Sequence, residues 1–500
     1  MELTTDHFCS WQAQAVAFAK TIANQQVQLQ ATTERNKELQ ELVEAYQQRL
    51  FGKKSEKMPR PEDDLRKRGD ILPPDPEKLK AKRADGRKWK EELPTIDLVQ
   101  ALPSDLPTCD LCGDVPHHPL PSKITYSVEL VPAKVVRHRH IQPQVRCNCG
   151  HCIVCAPAPL RVGDKVQYGP QLAAHLIVGK CMDAIAIERT AKQLARIGVP
   201  ISANTLFDLF HRSAELITRL YDLLVGQVRN HDIVLADETR LEVQEKGKTR
   251  RAWMWAFLAG DTIVYVFSPS RSGQTPVEVL GASQGTLLVD AYTGYNQVTT
   301  PEGRERAGCF AHCRRKLFEA MKDAPDLQKG LDLILDLYKV EHKAKELNVV
   351  GTYDHLELRR TESTPAMQRL HEWLTAQQAA LLPESKAGKA VAYMLNQWAN
   401  LTVFLGRATI PIDNNRSERA MRVVARGRDS YLFVGNDQCG KNLAKLLTLV
   451  HTAAAFGHNP QVYMADVLIQ ILNHPVSRLD ELLPEHWKPQ PEPVPDQATV

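Results

Sequence analysis

The chain has 500 residues, a net charge of +4, 43% hydrophobic and 24% charged residues, an ordinary soluble composition with room for roughly two to four domains. No apolar run reaches the roughly 18 residues that span a bilayer, and the opening MELTTDHFCSW lacks the basic-then-apolar order of a secretory leader. A membrane or exported protein is not expected, and a reducing cytoplasm is.

Residues 13–51 carry a heptad pattern. Ile22, Leu29, Asn36, Val43 and Leu50 take position a, with Phe18, Gln25, Thr32, Leu39 and Tyr46 at d. Segment 1–52 therefore reads as a coiled-coil helix in which Asn36 sets the register of a dimer; the alternative is one amphipathic helix packed on its own chain. Segment 53–98 is a basic, Pro-rich linker. The stretch 49–90 holds fifteen Lys/Arg against eight Asp/Glu, which fits either a solvated linker or an arm tracking phosphates through Lys53 and Lys54.

Six of the eleven cysteines fall between 109 and 155. Such clustering argues for a metal rather than disulfides. Cys109 and Cys112 in PTCDLCGD make one C-x2-C knuckle; Cys147, Cys149, Cys152 and Cys155 permit several second pairs. Cys149 with Cys152 is favoured and Cys147 is the alternate, giving a structural four-thiolate Zn2+ module over 99–165.

Region 166–228 is helical. In IERTAKQLARIGVPISANTLFDLFHR a first helix ending near Arg196 breaks at Gly198, and Ser202 or Asn204 caps a second. That is the layout of a helix-turn-helix, with Arg196 a candidate DNA contact.

From residue 231 the texture changes. HDIVLADETRLEV, RRAWMWAFLAG and TIVYVFSPS read as three strands in a meander. A short helix near PVEVLGAS follows, then a fourth strand, GTLLVD, ending at Asp290. AGCFAHCRRKLFEAMKDA turns helical, residues 321–400 form a helical insertion broken near Gly351 and Pro383, and TIPIDNNRSERAMRVVARG opens a helix with Glu418 in its first turn. Asn414 or Asn415 is the expected cap. Residues 440–472 add helix, and 473–500 form a Pro- and charge-rich tail. Asp237 and Asp290 end apolar runs, so two neighbouring strand ends and a packed helix can bring three carboxylates together. Such a group needs divalent cations between its members, and two Mg2+ ions suit in-line phosphoryl transfer. Individually each acid has a plain reading: a turn residue for Asp237 or Asp290, an i+4 partner of Arg422 for Glu418.

RLFGKKSEK (49–57), the cysteine module ending APAP, GCFAHCRRKLFEA and DNNRSERAMRVVARGRDSYLFVGNDQCGKNLAKLLTLVHTA together resemble the transposases of the IS66 insertion-sequence family. Phe310 stands where that family's C-W-A-H segment has Trp. The resemblance implies a multidomain α/β chain with a ribonuclease-H-like core (229–320 and 401–472), on which Asp237, Asp290 and Glu418 form a DDE triad holding Mg2+, with Mn2+ able to substitute. It implies DNA contacts at His312, Arg314 and Arg315, and Arg419, Arg422 and Arg426 face the same groove. The expected activity is cleavage of DNA at the element's terminal inverted repeats and 3′-hydroxyl transfer into target DNA. The expected partners are a second copy at least, and small accessory transposition proteins. The alternative is a catalytically inert, zinc-containing DNA-binding regulator derived from such an enzyme.

Overall fold

The computed structural model describes residues 135–137, 139, 141–146, 153–155, 162 and 168–489. The heptad helix, the basic linker with Lys53 and Lys54, and Cys109, Cys112, Cys147, Cys149 and Cys152 lie outside the described residues. Two three-residue strands, β1 (Gln144–Arg146) and β2 (Ile153–Cys155), pair antiparallel, and Cys155 is exposed.

Four helices follow: α1 (Pro170–Cys181), α2 (Ile187–Arg196), α3 (Ala203–Leu216) and α4 (Thr218–Asn230). The turn between α2 and α3 runs through Gly198 at φ +83°, a conformation that costs glycine little. Ser202, rather than Asn204, caps α3: its hydroxyl accepts the Thr205 amide at 3.1 Å.

The expected meander is present as β3 (Ile233–Glu245), β4 (Lys248–Ala259) and β5 (Thr262–Ser268), joined by tight antiparallel turns. Helix α5 (Gln274–Leu280) leads to β6 (Gly285–Leu288), which pairs parallel with β3. A fifth strand, β7 (Arg304–Ala307), pairs parallel with β6, giving the order β5-β4-β3-β6-β7. Sequence patterning missed β7, because RERA contains no apolar alternation. Its Arg304 is nonetheless buried, and its guanidinium donates to the carbonyls of Arg229, His231, Asp232 and Thr286. Those bonds lock the start of β3 to β6. Gly285 permits the close approach: a Cβ there would stand 2.2 Å from the Asp232 carbonyl oxygen.

Helix α6 (Phe310–Ala320) opens the helical region, which continues as α7 (Gln328–Glu346), α8 (Tyr353–Leu358), a π-turn over Arg359–Ser363, α9 (Thr364–Ala380), α10 (Lys386–Asn396) and α11 (Trp398–Thr402). The chain then returns to the sheet with α12 (Asn415–Tyr431), α13 (Asp437–Ala455) and α14 (Pro460–Gln470). Helix α12 packs on β3 and β4, and α13 packs on β5.

Strand β5 is a sheet edge, and α13 covers it with hydroxyls. Thr448 Oγ1 accepts the Tyr265 amide at 2.9 Å, and Thr452 Oγ1 accepts the Ile263 amide at 3.1 Å. The backbone donors that would otherwise template another strand are thus satisfied. Part of the Pro- and charge-rich tail, 473–500, is packed structure. A 3-10 helix spans Val476–Leu482, and Leu479, Leu482, Leu483 and Trp487 are buried. The Trp487 indole donates to Asp466 at 2.7 Å, so an aromatic anchor overrides the segment's polar composition. Among the described residues, no helix is long and apolar enough to cross a membrane.

Candidate active site

The register of the parallel pair sets the position of two carboxylates. Leu235 of β3 lies opposite Leu288 of β6. Asp237 and Asp290 each follow two residues later, and side chains alternate faces along a strand. Asp237 continues within β3 and Asp290 lies two residues past the last paired position of β6, on neighbouring strands roughly 4.8 Å apart. Asp237 Oδ1 accepts the Glu238 amide at 2.9 Å, and Asp290 Oδ1 accepts the Tyr292 amide at 2.9 Å. Arg306 of β7 fixes the turn after β6 by donating to the carbonyls of Asp290 at 2.6 Å and Tyr292 at 2.7 Å.

Glu418 arrives from the other side of the chain, and the DNN tripeptide before it explains how. Asn414 occupies the N-cap position of α12 but its side chain does not cap. It reaches across and donates to the Ala236 carbonyl at 2.7 Å, one residue before Asp237. The expected capping role is thus replaced by a tie between helix and strand: Asn414 is buried, its Nδ2 has this partner, and its Oδ1, like Glu418 Oε1, has none among the described residues. Asp413 supplies the turn instead, accepting the Asn415 amide at 3.0 Å and the Tyr338 hydroxyl of α7 at 2.8 Å. The start of α6 is stitched to the same segment, with the Phe310 amide on the Ile412 carbonyl and the Asn414 amide on Cys309 Sγ.

That stitching turns His312 and Arg315, one helical turn apart on α6, onto Glu418. Arg315 pairs with Glu418 Oε2 at 2.9 Å, and His312 Nδ1 stands 3.6 Å from Glu418 Oε1. The partner of Glu418 is therefore Arg315 and not Arg422 at i+4. The Glu418 Oε1 and His312 Nδ1 atoms are both buried without a hydrogen-bond partner. Ligating atoms of Cys309, His312 and Glu418 all lie within 4.8 Å of one another. Arg314 lies beside the Phe318 ring. Arg419, Arg422 and Arg426 are exposed along α12, and Arg196 is exposed at the end of α2.

Asp237 and His312 both have their titration moved by this environment. Burial pushes the Asp237 carboxyl up to about 8; the adjacent Glu238 carboxylate adds to this, as do Glu418 and Asp290, while the Glu238 amide opposes it. His312 is held below its ordinary value, first by burial, with Arg315 and Lys316 adding to the effect and Glu418 and Asp290 opposing it. A neutral imidazole keeps a lone pair free, so the group presents nitrogen and oxygen donors rather than another cation.

A fourth carboxylate escaped the sequence reading. Glu238 follows Asp237 and therefore points to the opposite sheet face, where its side chain is 2% exposed. It accepts Arg271 Nε at 2.9 Å and the Tyr295 hydroxyl at 2.6 Å. The Arg271 guanidinium lies 4.0 Å from the Tyr292 ring centroid. This cluster braces the back of the site, joining β3 to the turn that carries Asp290. The adjacent acids of ADET were the visible signal, since strand alternation must send one of the two away from the site.

The fold and site describe a mixed α/β chain in which Asp290 lies just past the end of β6, while Asp237, expected at a strand end, sits inside β3 opposite Ala256 of β4. Residues 165–442 match the model of the family described as Transposase IS66 family, and residues 448–484 match the IS66 C-terminal element. The chain belongs to that family. Among its relatives is the uncharacterized protein y4jD of Sinorhizobium fredii, 30% identical over 420 residues, covering 80% of this chain and 81% of that one. The uncharacterized protein y4hP of the same organism is 27% identical over 434 residues, covering 81% and 78%.

Proposed function

We propose that the chain is a DDE transposase: it binds the ends of an insertion sequence, cleaves them, and joins the freed 3′-hydroxyl to target DNA. The reading is supported by the register that puts Asp237 and Asp290 each two residues beyond the paired Leu235 and Leu288, and by the Asn414 side chain, four residues before Glu418, donating to the Ala236 carbonyl beside Asp237. The strand order, three antiparallel strands then two parallel to the first, supports a ribonuclease-H-like core. Family membership supports a nucleic-acid substrate.

The donor set fits divalent cations. Glu418 Oε1 is buried without a partner, and Asp237 cannot ionise cheaply without added positive charge beside it. Asp237, Asp290 and Glu418 would hold Mg2+, or Mn2+ in its place, and a bound pair would supply the charge that phosphodiester cleavage needs. The protein's own part is positional. Asn414 sets the height of Glu418 relative to Asp237, and Arg315 orients its carboxylate. Arg419, Arg422 and Arg426, at helical spacing on one exposed stripe, offer phosphate contacts. In the first reaction water displaces the 3′-oxygen from phosphorus; in the second that 3′-hydroxyl displaces a target-strand oxygen. No covalent protein intermediate is required.

A structural Zn2+ on Cys109, Cys112 and two of Cys147, Cys149 and Cys152, an oligomer built through the heptad helix, accessory proteins, and a bacterial cytoplasmic setting complete the proposal. The test is strand transfer by the purified full chain on duplexes carrying the element ends, with Mg2+ or Mn2+. Transfer should vanish in Asp237→Ala and Glu418→Ala while end binding persists. Undiminished transfer in the double variant would refute the triad, and binding without any nicking by the unaltered chain would leave a DNA-binding regulator.

A further inference from the structure

At the far end of the helix that carries Glu418, the backbone adopts a conformation that side chains normally avoid. Leu432 has φ +64° and ψ −48°, and the Phe433 amide donates back to the Tyr431 carbonyl at 2.7 Å. That is a γ-turn of the rare, strained hand, with leucine at its centre. Glycine would sit there without strain, yet the position holds a large apolar side chain that is 64% exposed, followed by Phe433 at 39%. Neither core packing nor turn chemistry accounts for the pair.

The tip is braced on every side that the chain reaches. Val434 bridges to β3, its amide on the Glu242 carbonyl and its carbonyl on the Gln244 amide. Lys180 Nζ lies 3.8 Å from the Tyr431 ring centroid, and Arg189 of α2 donates to the Ser430 hydroxyl at 3.1 Å. Phe207 of α3, also partly exposed, is close enough that a Cβ on Gly435 would stand 3.9 Å from its ring. The two apolar side chains thus stand on a rigid mount where the α2–α3 pair meets the end of α12. Arg419, Arg422 and Arg426 are exposed on the same helix, which ends one residue before Leu432. Asp429 stands in the last turn with Arg428 3.8 Å away.

We propose that Leu432 and Phe433 form a wedge that enters the stack of the DNA held along α12 and unstacks one base step near the cleaved phosphate. This rests on the transposase reading above. The charge beside the tip selects the occupant: phosphates pair with the arginine stripe, while an apolar tip gains by stacking on or between bases. A strained, braced turn suits that work, because the insertion geometry exists before DNA arrives. Leu432 follows Glu418 by fourteen residue steps, about 21 Å at about 1.5 Å per residue. At 3.4 Å per base pair the wedge falls about six base pairs from the reacting phosphate.

The test uses full-length Asp237→Asn protein, which on the transposase reading should bind ends without cutting them, and end duplexes carrying 2-aminopurine at each position in turn. A fluorescence rise confined to about six base pairs from the scissile phosphate is expected, and it should disappear when Leu432→Ala and Phe433→Ala are added. With the triad intact, the same two substitutions should slow strand transfer about tenfold, the scale of one lost base–aromatic stack, while Phe433→Trp retains it. Leu432→Gly relieves the turn, so it should melt no lower than the parent and still transfer slowly, which separates the wedge from folding. A complex that forms with no fluorescence rise, or a rise that survives both alanines, overturns the wedge and leaves the transposase reading intact. A change of oligomeric mass in the alanine variant, with transfer unaltered, would make the tip a protein contact and also overturn it. Failure of the Asp237→Asn chain to bind ends at all would sink both.

Discussion

Glu341 in α7 and Glu418 in α12 each face an arginine and a histidine, yet the chain treats them in opposite ways. Around Glu341 every group is paired. Arg359 is 1% exposed and clamps both Glu341 oxygens at 2.7 Å, and its remaining nitrogen donates to the carbonyls of Phe404 and Arg407. His355 accepts the Gly351 amide at 3.1 Å and reaches Glu341 at 3.3 Å. Around Glu418 one oxygen has Arg315, while the other oxygen and His312 Nδ1 face each other beyond hydrogen-bonding range. Buried polar groups are normally satisfied, so the closed cluster reads as scaffold and the open one as a place kept for a ligand. The two clusters share side-chain chemistry; what separates them is the unspent bonding capacity at Glu418.

The largest expected effect is on chemistry at the open cluster. Asp237→Asn or Glu418→Gln should lower strand transfer on the order of a thousandfold, with a melting temperature at or above the parent's. Strand-transfer assays beside thermal melts check both halves. If Glu418→Gln unfolded the chain instead, Glu418 would be scaffold like Glu341, and the contrast would be gone.

At the closed cluster the effect should fall on stability. Arg359→Met leaves the Glu341 carboxylate buried without its clamp, at a cost of about 3–5 kcal/mol. Denaturant titration measures it, and end binding by the remaining folded protein should be unchanged. A loss under about 1 kcal/mol would mean that Arg359 behaves as a surface pair.

How much of this was legible beforehand follows the same division. Apolar runs announced β3, β4, β5 and β6, since a half-buried strand must show its hydrophobic face. RERA announced nothing, because β7 is held by the guanidiniums of Arg304 and Arg306 rather than by apolar alternation. Asp237, Asp290 and Glu418 could be singled out as acids at element ends and as matches to a family pattern. The position of Asp237 relative to Asp290 rests on the Leu235–Leu288 register, which no local pattern encodes. Asn414 shows the limit most directly: its residue type predicts a cap, and burial against β3 gives it a longer-range partner. Leu432 was invisible for another reason, since leucine is the last residue that turn chemistry would place at positive φ.

The open cluster should also couple cation binding to pH. Without a cation, Asp237 stays protonated up to about pH 8, against an ordinary 3.8. Between those values the folded chain binds a proton that the unfolded chain does not, so its stability falls as pH rises through that window. A cation displaces the proton, and its apparent affinity should weaken by up to about tenfold for each pH unit below 8. Thermal shift with Mg2+ or Mn2+ across pH 6 to 9, at about one-unit steps, should show the stabilisation growing with pH. Asp237→Asn should flatten that slope, and chelation should return the unaltered chain to its lower melting point at high pH. A cation effect independent of pH would mean that Asp237 is not among the ligands.

The smallest effect is the most discriminating. His312→Leu removes an imidazole whose Nδ1 makes no hydrogen bond, so it forfeits no bond there and deletes one desolvated polar atom. Its stability change should stay within about 1 kcal/mol of zero, against several for Arg359→Met. Strand transfer should nevertheless fall, because Glu418 would lose the neutral donor that helps define its side of the cation site. Melts and transfer rates measured on the same preparations decide the matter. If His312→Leu costs as much stability as Arg359→Met, the imidazole is a packed and satisfied scaffold group, and the missing partner of Glu418 Oε1 lies within the protein. If stability holds while transfer drops, the bonding capacity left open at Glu418 belongs to what the site binds.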